Sequence, residues 1–305
     1  MRWIFVGGCP RSGTTLAGQL IGEHSGCLTL PESQFKRTIL DGGETVSPER
    51  LRGELAQSLP FRLWGLDDKV FDSVPDPCSP ADLLNALAMA YARQQRDQPA
   101  WVVDHTPSNL RPAMAMTLAE IMPDAVFVHM VRDPRAVVSS IRHCDWGPAG
   151  IRDASEWWNA WVSTTSVAEE LLGERCIRVY FEELVNKPED VVGRIFSRMD
   201  RPAIPLAQLR RTLGMSELVR PPRASAWRSE LPRFAQDEVL RHTKDLRHRL
   251  GIVDAAATQP TRMDSVRICL DELFAAYRVR VLQPRRYRAR RKAAVTAIEA
   301  ASKRE

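Results

Sequence analysis

The stretch "GGCPRSGTTL", residues 7–16, decides the fold class because it has the frame of a phosphate-binding loop. Gly8 and Gly13 are separated by four residues, and two small hydroxyl residues follow. Enzymes that bind ATP or GTP place a lysine directly after the second glycine, but this sequence has Thr14 there and an arginine, Arg11, inside the loop. A strand, a glycine turn and a helix start gather backbone N–H groups around one point. The stretch therefore predicts a site for phosphate or sulfate that works without the usual lysine.

Strand-like and helix-like segments alternate along the chain. Short apolar runs predict strands at residues 2–7, 100–104, 125–131 and 176–181. Helical patterns lie between them, at residues 14–24, 79–97, 108–121, 134–143, 153–173 and 188–200. Apolar strands without polar alternation fit a sheet that is buried on both faces. The pattern predicts an α/β protein with a P-loop-like, three-layer fold, in which helices flank a central parallel β-sheet.

The composition and the cysteines limit the classes of protein to which the chain can belong. The chain has 305 residues, of which 44% are hydrophobic and 27% are charged, as in ordinary globular proteins. The six cysteines form no CxxC pair, which favours reduced thiols. No apolar run approaches the ~20 residues of a membrane helix, and the first strand runs directly into the loop, which argues against a signal peptide. These features predict a cytoplasmic protein without a transmembrane segment.

The C-terminal tail, residues 278–305, concentrates the positive charge. It holds ten Lys or Arg and two Glu, a net charge of +8, whereas the whole chain carries +5. The rest of the chain is therefore mildly acidic. The tail predicts a basic helical extension that can meet a second copy of the chain or an anionic surface. Nucleic acid is not expected as a partner, because no aromatic platform or nucleic-acid-binding motif accompanies the charge.

A second motif, "VFVHMVRDPRAVVSS" at residues 126–140, has Arg132 at the end of a strand, an Asp-Pro turn, and Ser140 on the following helix. Both side chains can reach one dianionic group. Together with the loop, this motif resembles the sulfotransferase family that uses 3′-phosphoadenosine 5′-phosphosulfate (PAPS) as its sulfuryl donor. In motif style the sequence is similar to the bacterial carbohydrate and protein-tyrosine branches of that family. The resemblance extends over residues 1 to about 235.

The resemblance implies a set of donor-binding residues. The loop would bind the 5′-phosphosulfate, and Arg132 with Ser140 would bind the 3′-phosphate. Tyr180, in "RVYFEELVNKPE", would lie near the adenine, while Trp227 and Arg228, in "SAWRSELP", would stack on the nucleotide and meet the 3′-phosphate, respectively. For Tyr180 and Trp227 the alternative is packing in the core. The loop residues concerned are Pro10, Arg11, Ser12, Gly13, Thr14 and Thr15. In the resembled family the reaction requires no metal, and the histidines and cysteines of this chain show no metal-ligand spacing.

Two residues compete for the role of catalytic base, which takes the proton from the acceptor hydroxyl. Glu32 follows the strand-like "CLTL" and matches the glutamate of the protein-tyrosine branch; the alternative is a surface or capping glutamate. His105 follows the strand "AWVVD" and suits proton transfer at neutral pH. It stands where the family has lysine, so it can instead contact the sulfuryl group, with Asp104 orienting it or meeting the acceptor. Arg11 would stabilise the charge that develops on the sulfuryl oxygens.

The resemblance implies an enzyme that transfers the sulfuryl group of PAPS to a hydroxyl of a glycan, a glycolipid or a peptide tyrosine. Two other functions stay open: a nucleotide kinase or NTPase-like protein with a divergent loop, and a nucleotide-binding module without activity. Thr14 and the Arg132–Ser140 pair argue against the first alternative. Glu32 and Arg11 together argue against the second.

The expected domains are a sulfotransferase domain over residues 1–252, with an insertion at about 60–78, and a C-terminal helical extension over 253–305 with the basic tail. The loops at 35–78 and 144–152 are the expected source of acceptor contacts, because long loops in compact domains are often functional. The candidates within these loops, each of which also fits a solvated position, are Arg37, Trp64 and Trp146.

Overall fold

Five parallel strands form the central sheet of the structure, a computed structural model that describes residues 1–199, 225–252, 257–289 and 292. The strands are β1 (Arg2–Gly8), β2 (Cys27–Leu30), β3 (Trp101–Asp104), β4 (Val126–Val131) and β5 (Cys176–Tyr180). Their order across the sheet is β2-β3-β1-β4-β5, and all neighbouring pairs are parallel. The predicted α/β fold with a central parallel sheet is confirmed.

Helices connect the strands and cover both faces of the sheet. Those in the first half of the chain are α1 (Thr14–Gly22), α2 (Lys36–Leu40), α3 (Pro48–Ala56), α4 (Leu59–Arg62), α5 (Pro80–Gln94), α6 (Pro112–Ile121) and α7 (Pro134–Ile141). Those in the second half are α8 (Ile151–Leu172), α9 (Phe181–Asn186), α10 (Pro188–Ser197), α11 (Trp227–Glu230), α12 (Arg233–His242), α13 (Lys244–Arg249) and α14 (Arg262–Tyr277). Short 3₁₀ turns occur at Asp68–Ser73, Pro107–Leu110 and Gly173–Arg175. After α14, a π turn over Arg278–Leu282 leads into a helical segment at residues 283–289.

Two helix starts follow the capping residues of the sequence. Ser79 accepts a hydrogen bond from the backbone N–H of Asp82 at 3.1 Å, directly before the proline that opens α5. Asp133 accepts a hydrogen bond from the backbone N–H of Arg135 at 2.8 Å at the start of α7. Such caps satisfy N–H groups that have no partner inside the helix, and a proline at the first helical position has no N–H to satisfy.

Apolar side chains alternate between the two faces of β1. Phe5 packs on one face with Trp3 and Phe127, whereas Ile4 and Val6 belong to the core on the other face. Because both faces are buried, the strand needs apolar residues at successive positions. This packing fixes β1 at the centre of the sheet, where the loop that follows it lies between the ends of β3 and β4.

The predicted insertion at residues 60–78 contributes to the core. Phe61, Trp64, Val70 and Phe71 are buried in the same apolar cluster that covers one face of the sheet. Trp64 is therefore a core residue and not a solvated loop residue. The turn-forming residues of this segment indicate an insertion, but they reveal neither its 3₁₀ helix at Asp68–Ser73 nor the burial of its aromatic side chains.

The C-terminal helices pack on the loop between α7 and α8. Asp271, on α14, pairs with Arg142 just after α7. Gln283, in the next helical segment, donates hydrogen bonds to two backbone carbonyls of that loop. The domain boundary expected at residue 252 stays a prediction, because residues 253–256 lie outside the described part of the chain.

Candidate active site

The phosphate loop joins β1 to α1 and contains two residues with left-handed backbone. Gly13 has a φ of 93°, and a Cβ at this position would lie 2.4 Å from a ring carbon of Phe181, so the position requires glycine. Arg11 has a φ of 72°, which is uncommon for a residue with a side chain. The Arg11 side chain reaches α7, where its Nε donates a hydrogen bond to Ser140 Oγ at 2.9 Å. The loop and the second motif, which are about 120 residues apart in sequence, therefore meet in space.

Arg132 leaves the end of β4 and reaches the same point. Its Nη1 donates a hydrogen bond to the backbone carbonyl of Arg11 at 3.0 Å, and its guanidinium lies 4.0 Å from the centroid of the Phe181 ring. The ring face stabilises the cation. Arg11, Arg132 and Ser140 thus form one hydrogen-bonded group, which we call the arginine cluster.

The arginine cluster lines a cleft of about 1090 Å³. The other predicted site residues that line this cleft are Pro10, Gly13, Thr14, Thr15, Glu32 and Trp227. Ser12 is fully buried, and its backbone N–H donates to the carbonyl of Cys9 at 3.1 Å. Ser12 therefore closes the turn of the loop, and the residues around it face the cleft.

Tyr180 and Phe181 lie on opposite sides of the chain at the end of β5. Phe181 lines the cleft, whereas Tyr180 packs beside Trp158 and donates its hydroxyl to the carbonyl of Leu250 at 2.6 Å. The alternation of a strand predicts that the two residues diverge, but it does not tell which one faces the cleft. The role of Tyr180 near an adenine stays a prediction, and Phe181 is the aromatic residue that the sequence analysis missed.

Trp227 forms an aromatic wall of the cleft. The guanidinium of Arg135 lies 3.8 Å from the Trp227 ring centroid and is paired with Asp133 at 2.6 Å. Arg228 lies 4.9 Å from the same ring, but it is exposed and outside the cleft lining. Trp227 lines the cleft, and both its stacking on a nucleotide and the contact of Arg228 with a 3′-phosphate stay predictions.

Glu32 and His105 meet where β2 and β3 end. The distance from Glu32 Oε1 to His105 Nδ1 is 4.0 Å, and Gln34 donates a hydrogen bond to Glu32 Oε2 at 2.9 Å. Glu32 lines the cleft, whereas His105 is buried behind it. Within the described ranges, His105 Nδ1 has no hydrogen-bond partner. Glu32 can therefore contact a ligand directly, with His105 as a second proton-binding group close behind.

A buried ion pair lies behind the cleft. Lys36 Nζ is 2.7 Å from Asp104 Oδ2, and the two side chains are 2% and 0% exposed. Ser33 and Thr106 also donate hydrogen bonds to Asp104. Burial alone would raise the pKa of Asp104, but the charge of Lys36 and these hydrogen bonds outweigh it and lower the pKa to about 2. Asp104 is committed to this network, so the expectation that it orients His105 or meets the acceptor is wrong.

Several residues outside the two motifs also line the cleft. Tyr287 lines the cleft although it belongs to the tail, which the sequence predicts as a separate extension. His143 and Glu230 also line it, and Ser139 donates a hydrogen bond to Glu230. Trp146, one of the acceptor candidates, lines the cleft with 54% of its surface exposed. These side chains come from three separate segments, residues 139–146, Glu230 and Tyr287, and only the tertiary fold brings them together.

The described residues contain neither a metal-ligand cluster nor a disulfide bond. Within them, no group of three or more His, Cys, Asp or Glu has an arrangement that could hold a metal ion. No helix in these ranges has the length and apolar character needed to cross a membrane. All six cysteines are free, and burial raises the pKa of Cys9 inside the loop well above its usual value. The loop therefore carries no reactive thiolate near neutral pH.

Comparison with known proteins gives consistent matches. The sequence model of the sulfotransferase family matches residues 4–205. Protein-tyrosine sulfotransferase A of Caenorhabditis elegans is 27% identical over 210 residues, which are 66% of this chain and 50% of that protein. Protein-tyrosine sulfotransferase 2 of Gallus gallus is 32% identical over 205 residues, which are 64% of this chain and 50% of that protein. The chain thus spans about half the length of these curated relatives.

Two solved structures share the fold. The sulfotransferase domain from the curacin biosynthetic pathway has a TM-score of 0.54 and 18% identity, and the match covers 80% of this chain and 96% of that domain. The sulfotransferase domain from the Synechococcus PCC 7002 olefin synthase has a TM-score of 0.54 and 20% identity, with 83% and 95% covered. At these identities the likeness supports the fold alone.

The prediction of a cytoplasmic location is wrong. The animal protein-tyrosine sulfotransferases among the relatives are Golgi membrane enzymes, which conflicts with that expectation. Unpaired cysteines and the lack of an apolar run describe the segment itself, and they do not determine the compartment in which it works.

The family match extends over well more than half of the chain and includes both the phosphate loop and the second motif. The two motifs line one cleft, at the carboxyl ends of parallel strands where open α/β sheets hold their ligands. The chain belongs to the sulfotransferase family.

Proposed function

We propose that the protein transfers the sulfuryl group of PAPS to a hydroxyl acceptor, with Glu32 as the catalytic base. The observation that supports this proposal is that one cleft is lined by both the arginine cluster and Glu32. The acceptor is a hydroxyl of a glycan, a glycolipid or a peptide tyrosine. The names of the two animal relatives favour the last of these.

The donor side of the cleft fits a nucleotide with two anionic ends. Arg11 and Arg132 offer two planar guanidinium groups, which suit bidentate contacts with phosphate or sulfate oxygens. The N-terminal end of α1 adds backbone N–H groups directed at an anion. Trp227 lines the same cleft, with the Arg135 guanidinium 3.8 Å from its ring centroid. Ligand pockets usually measure roughly 300–1,000 Å³, so a cleft of about 1090 Å³ has room for a nucleotide and part of an acceptor.

In this proposal, separate side chains accept the proton and stabilise the negative charge. PAPS, when bound, supplies the sulfuryl group and leaves as adenosine 3′,5′-bisphosphate. Glu32 accepts the proton of the acceptor hydroxyl, and Gln34 holds the second carboxylate oxygen in place. His105, 4.0 Å from Glu32, is close enough to share that proton after a small movement. Arg11 stabilises negative charge at the sulfuryl oxygens.

Calorimetric titration of the purified chain tests the proposal. We expect adenosine 3′,5′-bisphosphate to bind without added metal, and at least about tenfold more tightly than ADP, because a charged hydrogen bond contributes roughly 1.5–3 kcal/mol. A preference for ATP with Mg²⁺ would contradict the proposal and favour the alternative function of a nucleotide kinase or NTPase-like protein. If the bisphosphate binds, release of the bisphosphate from PAPS with a panel of tyrosine peptides and glycans distinguishes an enzyme from a module that only binds nucleotide.

A further inference from the structure

A second cleft of about 640 Å³ opens beside the first one. Glu32, Gln34 and Tyr287 line both clefts, so the two cavities are continuous at the proposed base. A group bound in the second cleft can place a hydroxyl at Glu32 while a donor contacts the arginine cluster. This geometry separates an acceptor side from a donor side.

The chemistry of the second cleft differs from that of the first. Apart from Glu32, every described side chain that lines it is uncharged. Leu63 and Tyr287 present apolar surface there, with 58% and 51% of their areas exposed, and Leu59 and Pro60 complete the wall. Exposed apolar side chains that converge on one cavity favour an apolar or aromatic ligand group.

Tyr287 is held in position by the C-terminal helical segment. Gln283, 7% exposed, donates hydrogen bonds to the carbonyls of Cys144 and Gly147 at 3.1 and 2.9 Å. Tyr287 follows four residues later, on the same face of the helix as Gln283. Arg278 adds a hydrogen bond to the carbonyl of Arg142 at 2.6 Å. These hydrogen bonds position Tyr287 at the cleft, although it lies outside residues 4–205, which match the family model.

We propose that the second cleft is the acceptor subsite, and that Tyr287 of the C-terminal extension determines acceptor specificity. The subsite takes an uncharged aromatic or apolar group that carries the hydroxyl or lies next to it. A carboxylate in the same place would lose hydration and approach Glu32, which disfavours anionic acceptors. This inference rests on the proposed function, because the second cleft is an acceptor subsite only if Glu32 is the catalytic base.

The test uses two naphthalenes that differ in one charge. The protein is first saturated with adenosine 3′,5′-bisphosphate, and 2-naphthol or 6-hydroxy-2-naphthoate is then titrated and followed by its fluorescence. We expect 2-naphthol to bind at least about tenfold more tightly than the naphthoate. Tyr287→Ala should weaken 2-naphthol binding by about threefold to tenfold, the usual contribution of an aromatic contact. Tyr277→Ala is the matched control, because Tyr277 is also 51% exposed but lies outside both clefts.

A second pair of variants places a charge on the apolar wall. Leu63→Glu should weaken 2-naphthol binding, whereas Leu171→Glu should not, although both leucines are 58% exposed. Equal effects within either pair, equal affinity for the two naphthalenes, or no binding of 2-naphthol to the bisphosphate complex would each overturn the acceptor subsite and leave the proposed function standing. Failure of the wild-type protein to bind the bisphosphate would instead remove the proposed function itself, and this inference with it.

Discussion

At the scale of single residues, the proposed base Glu32 lies with its Oε1 4.0 Å from His105 Nδ1. We expect Glu32→Gln to lower kcat by about 10²- to 10⁴-fold, the usual contribution of a general base, because an amide cannot accept the proton. Bisphosphate binding measured by calorimetry should stay within about twofold, since the substitution keeps the shape of the side chain. Glu54→Gln, at an exposed position on α3, is the control. Loss of turnover in His105→Ala but not in Glu32→Gln would make the histidine the base.

Arg132 permits a sharper test of nucleotide recognition. We expect Arg132→Ala to weaken binding of adenosine 3′,5′-bisphosphate by about tenfold to a hundredfold, because a charged hydrogen bond is lost. Binding of adenosine 5′-monophosphate should fall much less, since it lacks the 3′-phosphate. Arg175→Ala serves as the control, because Arg175 bonds to the carbonyls of Ala119 and Pro123, away from the cleft. Equal losses for both nucleotides would show that Arg132 acts only by supporting the backbone of Arg11.

The residues that the sequence predicts best are those whose roles depend on local backbone. Gly13 and Arg11 belong to one turn, and Arg132 follows directly from a strand end, so each could be placed from its neighbours in sequence. Phe181 and Tyr287 could not, because facing a cleft depends on strand twist and on how distant segments pack. The motifs therefore predict the residues of the arginine cluster, whereas the other side chains of the cleft are identified only from the tertiary structure.

At the scale of elements, the Lys36–Asp104 pair joins the start of α2 to the end of β3. Glu32 lies in the connection just before α2, and His105 directly follows β3, so the pair holds together the two segments that carry these side chains. We expect Lys36→Met to lower the free energy of unfolding at pH 7 by about 3–5 kcal/mol, because it leaves a buried carboxylate without its cation. Urea denaturation measures this loss. Arg37→Met is the control on the same helix, since Arg37 and Asp41 are 78% and 67% exposed and such pairs contribute little.

The stabilisation of the fold by the Lys36–Asp104 pair depends on pH, and the pKa of Asp104 determines the direction of that dependence. The pKa of Asp104 is about 2 in the folded protein, below the ordinary aspartate value of 3.8, so the pair stabilises the fold fully above about pH 4 and less as pH falls toward 2. Without Lys36, burial dominates and the pKa of Asp104 rises, so acid then relieves the buried charge. The stability difference between Lys36→Met and the wild type should therefore shrink from pH 7 to pH 3. A constant difference would mean that Lys36 acts through packing alone.

Elements differ in how well the sequence predicts them. The strands β1, β3, β4 and β5 were predicted within one or two residues, because each is a short apolar run buried on both faces. The short helices α2 to α4 were not, since they contain only four to nine residues and their stability comes from packing rather than from a periodic pattern. The prediction that extended α10 to residue 200 reaches a position outside the described chain.

At the scale of the whole molecule, the C-terminal extension and the α7–α8 loop form one surface. Asp271 accepts a hydrogen bond from the backbone N–H of Ile151 at 3.1 Å, and Glu272 accepts one from that of Arg152 at 2.8 Å. These contacts satisfy N–H groups at the start of α8. The sequence predicts a basic helical tail, but a charge count does not indicate that two acidic residues of α14 dock it beside the cleft. The family region and its extension thus contribute to the same cleft.

Gln283 offers a test of this docking. Its amide is the donor to two carbonyls of the α7–α8 loop, so Gln283→Ala leaves both without that partner, and each unmade buried hydrogen bond costs roughly 1–3 kcal/mol. We expect amide hydrogen exchange to accelerate in residues 144–150 and 283–289 and to stay unchanged in β4. Gln94→Ala is the control, because Gln94 donates to the Gly65 carbonyl at 2.7 Å on another surface.

The same variant should also separate the two sides of the cleft. The donor-side groups lie on the phosphate loop, β4 and α7, so bisphosphate binding by Gln283→Ala should match that of the wild type. Binding of 2-naphthol should weaken as it does in Tyr287→Ala, because the tyrosine loses the support that positions it. If exchange accelerates and 2-naphthol binding is unchanged, the extension is docked by Gln283 but does not build the acceptor subsite. If exchange is unchanged, the contacts of α14 alone hold the extension in place.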